Sequence, residues 1–320
     1  MSERNYSIDI LKFICAILIV FIHTKWHFQQ EFLPLTRCAV PCFFMISGYL
    51  LFDNERRTIP RKRLKRNIIH VGKILLWSTL LYFIWEELLN IIGNDGQFLI
   101  HSAMNWLKMA VLNVPLFGHH LWYLFAYLYV LLIMLLVDKY NKWKLLYFIT
   151  PLLLLPHIIL LVSGKYLSIY LIRNFLFLGL PFFAIGTFIK ARSFGKSKKY
   201  RWLLLVGVVL FAITSLMERS ILLSLGKLAK RELYFSSIFL TISMFMLAIS
   251  AENHHKSWLS EMGEKYSLYI YLFHPVFVYC CETLFTRMDL QGVYMNIAPL
   301  LVLVSTMVFT KLLKLLRIIK

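Results

Sequence analysis

Ten stretches of mostly apolar residues, 15 to 26 residues long, follow one another along this chain at positions 8–23, 35–52, 67–92, 120–137, 145–162, 171–189, 202–216, 233–250, 266–281 and 293–309. A helix needs about 20 apolar residues to cross a bilayer, so the runs predict an all-α, polytopic membrane protein with about ten transmembrane helices. Composition agrees with that reading and excludes its rivals. Charged residues make up 16% of the 320, against about 25% in an ordinary soluble domain. A disordered basic chain needs few aromatic residues, and here Phe, Trp and Tyr reach 16%.

The formal charge of +19 invites a nucleic-acid partner, but its distribution argues against one. With the N-terminus inside, 23 of the 35 Lys and Arg fall on cytoplasmic segments, 8 on outer loops, and Lys12, Arg37, Lys73 and Arg173 within spans. Positive charge holds short loops in the cytoplasm, so both termini are expected there. The seventh run, 202–216, is short. The four basic residues of 217–232 that follow it suggest an interfacial amphipathic helix, with Ile221, Leu222, Leu225 and Leu228 near helical spacing. His23-Thr24-Lys25-Trp26-His27 follows the first run in place of a small-x-small cleavage site, so that run is expected to be a retained helix and not a signal peptide. No internal repeat or soluble segment appears, and residues 1–320 are expected to form a single integral-membrane domain.

Cys15, Cys38, Cys42, Cys280 and Cys281 all lie in apolar stretches without ligand spacing; neither a disulfide framework nor a metal is expected. Ionisable groups inside spans are costly and are functional candidates for that reason. Lys12 and His23 lie eleven residues apart, which at 100° per residue returns to within about 20° of the same face, about 16 Å along the axis. The alternative is a snorkelling lysine and an interfacial histidine. Asp9 precedes Lys12 by three residues and can pair with it. Arg63 and Arg66, i and i+3 at the start of the third run, project together and can hold a phosphate, whereas orientation or attraction to anionic lipid accounts for their neighbours. Arg37, His120-Leu121-Trp122 and Arg173 open the second, fourth and sixth runs, where belt residues are ordinary. His274-Pro275 lies within the ninth; the proline frees a backbone carbonyl, and His274 can be structural or functional there.

Taken together and in order, these strings resemble the acyltransferase-3 family of integral-membrane O-acyltransferases. Asp9-x-x-Lys12, ten residues and His23 follow the D-x-x-R-x10-H of that family's first helix. Arg37–Leu50 follows its R-x-A-V-P-x-F-F-x-I-S-G-Y-L, Arg63 and Arg66 its R-x-x-R, and His120–Leu124 its H-L-W-Y-L. Arg173–Phe183 and Ser267–Pro275 follow its R-N-x-L-F-x-G-L-P-F-F and S-L-x-I-Y-L-x-H-P. One position departs: the family arginine is Lys12 here, which keeps the charge and loses the planar fork. The nearest likeness is to the membrane half of vancomycin-resistance membrane serine racemases. A racemase domain, and with it pyridoxal phosphate, is not expected.

The resemblance implies an acyl-CoA-dependent O-acyltransferase of the bacterial cytoplasmic membrane, moving an acyl group, commonly acetyl, to a hydroxyl of a sugar or other extracytoplasmic acceptor. His23 is then the base or acyl carrier, and of the catalytic candidates Arg37 and Arg173 one or the other is the donor to the thioester oxygen. Lys12, Arg63 and Arg66 hold acyl-CoA, and His120, Trp122 and His274 meet the acceptor. Expected partners are membrane lipid, acyl-CoA and a glycan or small hydroxyl acceptor; no nucleic acid and no metal are expected, and oligomeric state is left open, with a homodimer among the arrangements. A transporter of a small amino acid or acylated glycan is the competing reading, disfavoured by the missing repeat; an inactive receptor-like or scaffold remnant is the third.

Overall fold

A computed structural model describes residues 4–93, 101–163, 172–194, 198–227, 231–251 and 253–319. Among them the protein is helical, with no strand beyond a single bridge between Asp53 and Thr58. The helices are α1 (Tyr6–His23), α2 (Gln29–Thr36), α3 (Ala39–Leu51), α4 (Arg61–Gly93), α5 (Ala103–Leu112), α6 (Trp122–Lys139), α7 (Trp143–Ser163), α8 (Leu180–Ala191), α9 (Arg201–Ser224), α10 (Phe235–Ala251), α11 (Trp258–Arg287) and α12 (Gln291–Leu315). Eight helical segments are long and apolar enough to cross a membrane, and two shorter apolar ones cover Phe175–Ala191 and Phe235–Ala251. All ten fall on the ten apolar runs, so the chain is an all-α polytopic membrane protein.

The helices group into two compact units, Met1–Phe43 with Phe194–Lys320, and Phe44–Ser193. In the first, α1 lies along α11, α9 along α10, and α11 along α12. Asn5 starts α1 by accepting from Ser7 N at 3.0 Å, and its amide donates to the Ala248 and Ile249 carbonyls of α10. The core brings Phe13, Ala16 and Val20 of α1 onto Ile270 of α11 and Val302 and Leu303 of α12. A Cβ at Gly263 of α11 would stand 1.7 Å from the Asp9 carbonyl oxygen, so only glycine lets these two backbones meet. The buried Ser237, Thr241 and Ser250 of α10 return their hydroxyls to carbonyls three or four residues back, as polar side chains do in an apolar helix.

Residues 217–224 are not a separate interfacial helix. The seventh run continues as α9 to Ser224, because Met, Glu, Arg, Ile and Leu are adequate helix formers. Gly226 ends it at φ 64°, with Gly226 N donating to Leu223 O and Lys227 N to Leu222 O, the Schellman pattern. Ile221 and Leu225 are exposed and Leu222 is buried; Leu228 lies outside the described residues.

In the second unit, Gly48 of α3 meets the Phe183 carbonyl and Gly186 of α8 meets the Met45 carbonyl, each too close for a Cβ. This reciprocal crossing of small residues is how helices pack in lipid. Before α8 the chain makes a π-turn, Phe175–Gly179. Pro181 has no N–H to give the Phe177 carbonyl four residues back, and the buried His157 Nε2 donates to it at 3.2 Å. His157→Leu removes that bond and is expected to lower the unfolding free energy in detergent by about 1–3 kcal/mol, read from thermal or denaturant unfolding of the purified protein.

Candidate active site

Helix α1 carries candidate site residues toward both ends. Near its start, Asp9 is buried (2% exposed) and collects two cations. Lys12 Nζ reaches Asp9 Oδ1 at 2.9 Å, and Arg4 reaches Oδ2 through Nη2 at 2.8 Å and Nε at 3.0 Å. Arg4 Nη1 also holds Glu264 Oε1 of α11 at 2.6 Å. The Asp9–Lys12 pair follows from their i, i+3 spacing; the parts played by Arg4 and Glu264 do not. Buried carboxylates need such partners, and the glycine crossing at Gly263 brings α11 close enough for Glu264 to hold the Arg4 guanidinium in turn.

At the other end, His23 is the last residue of α1 and is exposed. Its ring centroid stands 5.0 Å from that of His274, with the planes at 44°. His274 of α11 is fully buried, and its Nδ1 stands 3.0 Å from both the Ile270 and Tyr271 carbonyl oxygens. A histidine expected to meet the acceptor thus sits against the proposed base.

Arg37 lies in the break between α2 and α3, 8% exposed, with Nη1 3.2 Å from Glu232 Oε2. Its Nε is buried with no hydrogen-bond partner. Arg37, Arg219 and Arg231 lie within electrostatic range of the buried Tyr234. Glu218 is occupied elsewhere, accepting from Phe235 N and Ser236 N at the start of α10, both at 2.9 Å. Glu232 is a residue sequence reasoning missed: it stands 195 positions from Arg37, and no local spacing announces the pair.

The second unit holds the remaining candidates. His120 is buried in the short 3₁₀ turn His119–Leu121 that opens α6, its ring 4.6 Å from Tyr82 at 70°. Gly118, at φ 62°, enters that turn and donates its N–H to Glu86 Oε1 at 2.7 Å. The Arg173 guanidinium lies 5.3 Å from the Trp122 ring centroid, a cation–π contact. Asn174 caps the π-turn, its Oδ1 accepting from Leu176 N and Phe177 N at 2.9 Å. The buried Asn113 links both stretches, accepting from Phe175 N at 3.0 Å and donating to Trp122 O at 3.5 Å. Arg173 and Trp122 are therefore brought together, with His120 two residues from Trp122; Asn113, Tyr82 and Glu86 were not foreseen. Arg63 and Arg66 lie in the first turns of α4 as their spacing requires. Arg63 Nη1 donates to the Leu50 and Leu51 carbonyls at the end of α3, at 3.4 and 3.3 Å, and Arg66 is exposed.

No group of three or more His, Cys, Asp or Glu able to hold a metal occurs among the described residues. Cys15, Cys38 and Cys42 are free and buried.

Comparison with known proteins finds a family model described as an acyltransferase domain, acyltransferase-3, matching residues 5–315. An amino-acid racemase of Enterococcus faecalis is 33% identical over 134 residues, covering 38% of this chain and 18% of that protein. No solved structure matches. The chain spans about a fifth of that racemase's length; with ten apolar helices among the described residues under a family match that runs almost end to end, it belongs to the acyltransferase-3 family and is a multi-pass membrane protein.

Proposed function

We propose that this protein is an O-acyltransferase of the bacterial cytoplasmic membrane. It takes an acyl group, acetyl in the simplest case, from cytoplasmic acyl-CoA and places it on a hydroxyl of a cell-surface sugar or other extracytoplasmic acceptor. Residues 1–320 act as one integral-membrane acyltransferase domain with both termini cytoplasmic, the orientation that the bias of basic residues favours.

One observation carries the reading. An unbroken α1 holds a cation near one end and an exposed histidine, backed by a buried one, at the other. Coenzyme A is built to that pattern, with phosphates at one end and a thioester at the tip of a long flexible arm. Lys12, Arg63 and Arg66 bind the phosphates by charge-assisted hydrogen bonds. His23 takes the proton of the acceptor hydroxyl, or accepts the acyl group itself. Arg173 or Arg37 supplies N–H donors to the developing oxyanion, His120 and Trp122 contact the acceptor, and the buried His274 stands behind His23. Incubating the detergent-purified protein with acetyl-CoA and following thiol release tests the reading, because a transporter leaves the thioester intact.

Lys12 yields a second expectation. If its charge holds the donor, Lys12→Arg keeps or raises activity and leaves KM for acyl-CoA within about twofold. Lys12→Met removes a hydrogen bond to a charged group, about 1.5–3 kcal/mol, and should raise that KM roughly 10- to 100-fold with a smaller change in kcat. Equal KM values in all three proteins would remove Lys12 from the donor site.

A further inference from the structure

The histidine pair contains more than a contact between rings. In an α-helix the N–H of residue 275 would close on the carbonyl of residue 271, but residue 275 is proline and has no N–H. The Tyr271 carbonyl is left for another donor, and His274 Nδ1 stands 3.0 Å from it and 3.0 Å from the Ile270 carbonyl. A carbonyl oxygen only accepts, so Nδ1 carries the proton. In a neutral imidazole the other nitrogen, Nε2, then carries the lone pair. The proline thus fixes the tautomer of the histidine before it. His274 is fully buried and His23 is exposed, so one ring is shielded while the other is open to a reactant. Ring centroids 5.0 Å apart leave room for a single N–H···N hydrogen bond between facing edges.

We propose that His274, locked as its Nδ1–H tautomer by the carbonyl that Pro275 frees, accepts a ring N–H of His23 at Nε2 and so directs the other nitrogen of His23, with its lone pair, at the acceptor hydroxyl. His274 is a positioning residue, in the role that a carboxylate fills in a Ser-His-Asp triad, but without a buried charge that would need its own counterion. This rests on the reading that His23 receives the acceptor's proton. In that step the acceptor O–H bond breaks and its proton passes to His23, while a C–O bond forms to the acyl carbon. The C–S bond then breaks, and the proton returns from His23 to the thiolate of the leaving coenzyme A. His274 gains and loses no proton; it accepts the hydrogen bond of the transient His23 imidazolium.

Two substitutions separate the nitrogens. Asparagine at 274 carries an amide N–H near the place of Nδ1 and satisfies the Tyr271 carbonyl, but has no acceptor at the place of Nε2. His274→Asn is therefore expected to remain folded and inserted, with kcat lowered roughly 10- to 100-fold, the scale typical when a group that orients a functional histidine is lost, and with KM for acetyl-CoA unchanged. A purely structural His274 predicts that asparagine restores kcat. Independently of activity, ¹⁵N NMR of the full-length, histidine-labelled protein in detergent should show His274 protonated at Nδ1, and His23 in one tautomer that becomes a mixture in His274→Asn. Pro275→Ala restores the N–H to Tyr271 and leaves Nδ1 only the shared Ile270 carbonyl, so the Nδ1–H tautomer of His274 should be less strongly populated. Wild-type kcat in His274→Asn, His274 protonated at Nε2, or a His23 tautomer indifferent to residue 274 would overturn the proposal. Wild-type activity in His23→Ala overturns the transfer reading alone, because the NMR result decides the pairing by itself.

Discussion

His23→Ala abolishes acyl transfer and leaves the protein folded and inserted: that is the largest functional effect expected of any single substitution here. The stability half follows from where the side chain lies. The core-facing residues of α1 include Phe13, Ala16 and Val20, against Ile270, Val302 and Leu303, and His23 is exposed beyond them. The helix is closed without it, since Thr24 donates both its N–H and its hydroxyl to the Val20 carbonyl at 3.0 Å. Beyond that core the His23 ring meets that of His274, and losing one such contact costs about 0.5–1.5 kcal/mol, too little to unfold the protein. The functional half follows from the chemistry. A positioned base contributes about 10²- to 10⁴-fold, and a covalent carrier is indispensable, so either route takes thiol release and acyl transfer to the background of acyl-CoA with buffer. The check is transfer by purified His23→Ala, whose thermal unfolding must stay close to that of the wild type; wild-type rates in that protein would remove His23 from the chemistry.

Much of this arrangement can be read from the chain, and the parts that cannot share a physical reason. All ten apolar helices follow from run length, because the lipid phase leaves few alternatives for an apolar stretch of that size. The Asp9–Lys12 pair follows from i, i+3 geometry. The proline of His274-Pro275 announces a freed carbonyl, though not that the adjacent histidine fills it. What stays hidden is long-range pairing. Arg37 with Glu232, Arg4 with Glu264 and Asn113 with Phe175 join residues 62 to 260 positions apart, and none leaves a local periodicity. The charged residues Glu218 and Arg219 point toward a loop, yet the helix runs through them, because Glu218 serves the N-terminus of α10 and the stop signal is Gly226. Helix α5 was hidden for a different reason: Ser102, accepting from Asn105 N, starts it within a stretch too short to read as a span.

Gly263→Ala is the substitution expected to cost the most stability. The methyl would meet the Asp9 oxygen at 1.7 Å and its carbonyl carbon at 2.6 Å, and both are backbone atoms of a helix that cannot swing aside like a side chain. Alanine is worth about 1 kcal/mol more than glycine in a helix interior, but overpacking a rigid contact costs about 3 kcal/mol or more, so the net effect is a large loss. Gly72, around which a Cβ meets nothing within 4 Å, supplies the control: Gly72→Ala should leave unfolding unchanged or raise stability by about 0.5–1 kcal/mol. The consequences of Gly263→Ala extend beyond stability. Asp9 carries the carbonyl that is struck and also the carboxylate that holds Lys12 and Arg4. His274 lies eleven residues beyond Gly263 on α11, as His23 lies eleven beyond Lys12 on α1, so both histidines keep near the same helical face as the crossing. Pushing α11 off α1 at Gly263 therefore disturbs the cation at one end and the spacing of the histidines at the other. Gly263→Ala should lose thermal stability and acyl transfer together, whereas His23→Ala loses transfer alone. An alanine variant that unfolds like the wild type would show that α1 and α11 do not cross on this glycine.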